Sequence, residues 1–167
     1  YSEITRARAD ELSKELQGHL NKAHMVAHSD FMESMDVESI LPFLSSLLNH
    51  SDFKGMTIAQ PDGQAWTTYG ATIDIRDQEQ FTKIFERNKL YAISNPFYSP
   101  YFYDDVPIIT LSYAIQRGNT TVGLLNAVLT TRFMETIISD IRFDTYGYAW
   151  IVDGNGNIVA HPDPEID

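Results

Sequence analysis

The chain has 167 residues, enough for one domain or one and a fraction, with 43% apolar and 21% charged residues, as an ordinary globular fold carries. Against 23 acidic residues stand only 12 basic ones, and the net charge of −11 repels nucleic acid and anionic membrane surfaces. There is no cysteine, which excludes disulfides, thiolate zinc sites and thiol catalysis.

In chain order, residues 2–27 read as a helix. Ile4, Ala7, Leu12, Leu16, Leu20, Ala23 and Ala27 recur at steps of three to five residues and form a narrow apolar stripe. At 1.5 Å per residue such a helix is about 40 Å long, more than one small domain needs, and it reads as a stalk or a dimer seam. A break at 29–35 is followed by a second helix capped by Asp36, with Ile40, Leu41, Leu44 and Leu48 inward and Pro42 as a kink or as its true start. From Phe53 the period changes to two. Strands at 53–60 and 64–69 flank the turn Pro61-Asp62-Gly63, and a short helix follows at 77–87. A strand at 90–94 leads into an aromatic loop at 97–105, then strands at 106–116 and 121–130, a helix at 132–141 and a last hairpin at 148–160. Segregated helices and an antiparallel five-stranded sheet make an α+β fold, PAS-like in its order.

Few residues carry readable chemistry. Gly154 and Gly156 lie between two strands, where a phosphate-binding loop requires a helix, and belong to a hairpin. His24 and His28 share a helix face, but without a third ligand nearby they read as a solvated face and no metal site is expected. Asp104 and Asp105, with Asp163 and Glu165, could perform acid–base work, yet acidic loops are expected in so acidic a chain, and the reading is not an enzyme. The stretch FYSPYFY at 97–103 has five aromatic residues in seven, a composition that suits a loop lining a ligand or pinned onto the sheet.

Several motifs, in order, resemble the extracytoplasmic double Cache sensor family of bacterial transmembrane receptors. FKGMTIAQPDG at 53–63 is similar to its opening hairpin and DQEQF at 77–81 to its helix start. YAIS at 91–94, PIITLSY at 107–113 and VGLL at 122–125 follow its strand progression, and YGYAWIVDGNGNIVAHP at 146–162 is close to the entry into its second module. The resemblance implies a stalk over residues 1–33, a membrane-distal PAS-like sensor module over 34–139 and the start of a truncated membrane-proximal module over 140–167. It also implies a membrane-anchored receptor on the periplasmic or extracellular face of the bacterial inner membrane. Its output would be a chemoreceptor, a histidine kinase or a cyclic-di-GMP enzyme, with a lean toward the last.

By the same resemblance a small molecule would bind in the distal module, with no cofactor. Gln78, Phe81, Ser94, Tyr98, Ser99 and Tyr113 would line the site and Arg76 would stand at its rim. The positions matching the amino-acid-binding subgroup are Gln78, Gln80, Phe81, Phe97, Ser99 and Val128, which lack that subgroup's cation and acids, so an uncharged or weakly polar ligand fits better. The alternative is a structural dimerisation module built on the first helix.

Overall fold

The computed structural model describes residues 3–102, 106–131, 151–152 and 158–159. Helix α1 runs over Glu3–Ala27, a 3-10 turn over Asp30–Ser34 and helix α2 over Val37–Leu48. Strands β1 (Gly55–Ala59), β2 (Gln64–Thr67) and β3 (Thr72–Asp74) precede the short helix α3 (Glu79–Phe81), which continues as a π-helical turn over Thr82–Glu86. Strands β4 (Tyr91–Ile93), β5 (Ile108–Arg117) and β6 (Thr120–Thr130) follow, and β7 (Ile151–Val152) pairs with β8 (Ile158–Val159).

The main sheet has six strands in the order β3-β2-β1-β6-β5-β4 rather than the five expected. The addition is β3, a three-residue edge strand. The Thr67 hydroxyl donates to the Ala71 carbonyl (2.7 Å) and accepts the Ala71 N–H (2.9 Å), which closes the turn that sends β3 back along β2. Strands β1–β2, β1–β6, β2–β3 and β4–β5 pair antiparallel, with Thr57 opposite Asn126 and Tyr91 opposite Tyr113.

The chain divides into two compact units. One comprises Tyr1–Asn21, Asn95–Ile109 and Thr130–Asp167; the other comprises Lys22–Ser94 and Thr110–Leu129 and holds nearly all of the sheet. In the first unit, Phe97 and Ile108 exchange two backbone bonds (2.9 and 2.7 Å) and the Thr131 hydroxyl donates to the Pro107 carbonyl (2.9 Å). The sequence-predicted helix at 132–141, the acidic pair Asp104 and Asp105 and most of the terminal hairpin lie outside the described residues.

In the second unit helix α2 lies against β1 and β2. Asp36 stands at its N-cap position and accepts the Ser39 hydroxyl (2.8 Å); the helix starts at Val37 and runs on through Pro42. Leu12, Leu16, Leu20, Ala23 and Ala27 are buried within the chain. The stripe read as a dimer seam is therefore already covered over these residues, because an apolar stripe is satisfied by whichever surface reaches it first.

Candidate functional site

Strand period fixes the two faces of the sheet. On one face Ala59, Ala65, Ala92, Ala114 and Leu124 form a cluster with Ile75, Phe81 and Ile84, and Ile73 and Phe85 pack against it. These small strand residues leave room for the rings from α3 and its π-helical turn. Alternation puts a polar row on the same face, beside that apolar patch. Thr67 of β2 is opposite Thr57 of β1, which is opposite Asn126 of β6. The Ser112 hydroxyl of β5 donates to Asn126 Oδ1 (2.5 Å), and Thr110 stands two residues along the same strand.

All five of these side chains are buried. Burying hydroxyls and an amide costs free energy unless each finds a partner. Thr67 and Ser112 have theirs, but Thr57 Oγ1 and Thr110 Oγ1 have no hydrogen-bond partner, although the residues are only 1% and 4% exposed. The row carries no formal charge. Two buried oxygens with unused donor and acceptor capacity can hydrogen-bond a polar, uncharged group.

The structure scatters the predicted site residues. Phe81 is buried on this face, and it also borders an open cleft of about 510 Å³ at the end of the sheet, near Pro61, Phe85 and Thr121. Ser94, at the end of β4, accepts the Thr110 N–H (2.8 Å) with its hydroxyl. Gln78 is exposed at the N-cap of α3, where its side-chain oxygen accepts the amide of Gln80. Tyr98, 68% exposed, and Ser99, whose hydroxyl accepts the Tyr101 N–H (3.2 Å), belong to the other compact unit.

Two of the expected residues lie away from this polar row. Tyr113 alternates with Ser112 and Ala114, so it points to the opposite face, where its ring meets His24 of α1 edge-on (5.4 Å) and stacks on Tyr91 (5.7 Å). Burial, and then Tyr91, push its phenol above the ordinary value, which keeps it neutral. Arg76, expected at the rim, turns back onto Asp74, with Nη2 to Oδ2 at 2.6 Å and the side chain 65% exposed. The hydrogen bond from Arg76, first through its side chain and then through its backbone N–H, holds the Asp74 carboxyl below its usual range.

Sequence reasoning missed Thr57, Thr110, Ser112 and Asn126. Their signal was present, because each is a polar residue in an otherwise apolar strand and they share one face by period.

No protein-family model matches the chain. It is 29% identical over 59 residues to the methyl-accepting chemotaxis protein PscA of Pseudomonas syringae, a stretch covering 35% of this chain and 9% of the relative. It is 27% identical over 74 residues to the methyl-accepting chemotaxis protein PctB of Pseudomonas aeruginosa, covering 44% and 11%. The ligand-binding domain of the P. aeruginosa amino acid chemoreceptor PctC in complex with GABA superposes with a TM-score of 0.70 at 18% identity, over 98% of this chain and 75% of that one. That of the Pseudomonas fluorescens chemoreceptor CtaA in complex with L-alanine gives 0.69 at 18%, over 98% and 71%. The chain has a Cache-type fold, shared with these ligand-binding domains. The matched stretches span about a tenth of the curated relatives' length. The lean toward a cyclic-di-GMP enzyme finds no support, since both curated relatives are chemotaxis receptors. No helix among the described residues is long and apolar enough to cross a membrane.

Proposed function

We propose that this chain is the extracytoplasmic ligand-sensing part of a bacterial transmembrane chemoreceptor, anchored in the inner membrane, without catalysis of its own. Its ligand is a small, uncharged, polar molecule held against the row Thr57, Thr110, Ser112 and Asn126. The observation that carries the reading is the pair of unpartnered buried hydroxyls on an uncharged floor. The fold neighbours carry ligands such as GABA and L-alanine, whose carboxylate and ammonium need counter-charges when buried. Here the one arginine expected to serve is held by Asp74.

A thermal-shift screen of neutral polar solutes beside free amino acids tests this. A ligand at a hundred times its Kd adds about 2.7 kcal/mol of stability. Asn126→Leu should abolish the shift given by a neutral hit. An amino acid that raises the melting temperature equally in the wild type and in Asn126→Leu would overturn the reading.

A further inference from the structure

The end of helix α1 carries two imidazoles that the ligand site does not use. His24 and His28 are one helical turn apart, and their rings stack with centroids 4.1 Å apart and 29° between planes. His28 Nδ1 lies 2.9 Å from the His24 carbonyl oxygen. A carbonyl only accepts, so Nδ1 carries the proton and Nε2 keeps its lone pair. Metal-binding histidines are oriented in the same way, by donating the other ring N–H to a carbonyl or carboxylate. His24 also meets Tyr113 in a T-shaped contact (5.4 Å), and Tyr113 stacks on Tyr91. Neither ring nitrogen of His24 has a hydrogen-bond partner among the described residues.

We infer that His24 and His28 form a two-imidazole chelate for a divalent first-row transition ion at the end of α1. Among the described residues no group of three or more His, Cys, Asp or Glu could hold a metal, so water completes the shell. Such a shell suits copper(II) and nickel(II), which accept tetragonal or octahedral sets of nitrogen and oxygen, ahead of zinc, whose sites require more protein ligands. The sequence spacing alone read as a solvated face; the structure adds the carbonyl that sets the His28 tautomer and the 4.1 Å approach of the two rings.

The test is titration of the untagged 167-residue chain with copper(II) and with nickel(II) by calorimetry, followed by copper EPR. One ion per chain is expected, with hyperfine structure from two nitrogens and a raised melting temperature. His28→Gln, at an exposed position, should weaken binding by at least about tenfold and remove the melting shift, whereas His50→Gln should change neither. Unchanged affinity in both His28→Gln and His24→Gln, or no binding by the wild type, would overturn the inference. So would loss of binding through His50→Gln.

Discussion

Gly123 shows how one residue can hold two elements together. A Cβ there would collide with the Met35 thioether and stand 3.2 Å from the Ala59 carbonyl oxygen. Met35 reaches this place with φ at 55°, a left-handed backbone that a side chain adopts at a cost of roughly 1–2 kcal/mol. Gly123→Ala should therefore destabilise the chain by about 1–3 kcal/mol in urea unfolding. Adding Met35→Ala should recover part of this, because the carbonyl contact remains. His24 makes a second residue-scale prediction. Its imidazole pKa is held below the ordinary 6.5, by burial first and then by His28. The unfolded chain then binds more protons at this site, so its contribution to stability is complete above pH 6.5 and is lost as the pH falls through the lowered folded value. A proton NMR titration should place its midpoint below 6.5, and His28→Gln should move it upward.

At the scale of elements, α1 and α3 each present an apolar face chosen by period. The α1 stripe is buried within the chain, so Leu16→Ala should cost about 2–5 kcal/mol at any protein concentration. A loss confined to high concentration, checked by urea unfolding across a hundredfold dilution, would mean that the stripe is an interface between copies. The α3 segment departs from a plain helix. The Arg87 N–H donates to the Thr82 carbonyl (3.0 Å), a wider turn than an α-helix makes. Phe81 and Phe85 stay close across it (4.9 Å), and Ile84 shares their cluster. The apolar spacing at 81, 84 and 85 was readable in the sequence, whereas the wide turn was not, because the same spacing suits an ordinary α-helix.

For the whole molecule, the proposed ligand row would set stability against function. Thr57 and Thr110 each bury a hydroxyl without a partner in a sheet that is otherwise closely packed. Replacing them with valine keeps the shape and removes the desolvation cost. Thr57→Val and Thr110→Val should each stabilise the free chain by about 1 kcal/mol, seen as a higher urea midpoint, while weakening a neutral ligand found by the screen. Stabilisation with undiminished ligand affinity would remove the row from the site. The net charge of −11 has no counterpart on this floor, which is built from hydroxyls and one amide.

By itself the sequence determined the α+β class, the order of elements and the residues that can face inward, because periods of two and 3.6 are local properties of the chain. It also held the motif order that resembles Cache sensors. Only the tertiary structure decided which face of each strand became which. Period two says that Ser112 and Tyr113 look in opposite directions; it does not say which of them meets α1 and which lies beside α3. That choice depends on contacts between residues far apart in sequence, such as His24 with Tyr113 and Ser112 with Asn126. A single strand pattern satisfies either choice equally well, so the sequence could name Tyr113 but not the face it turns to.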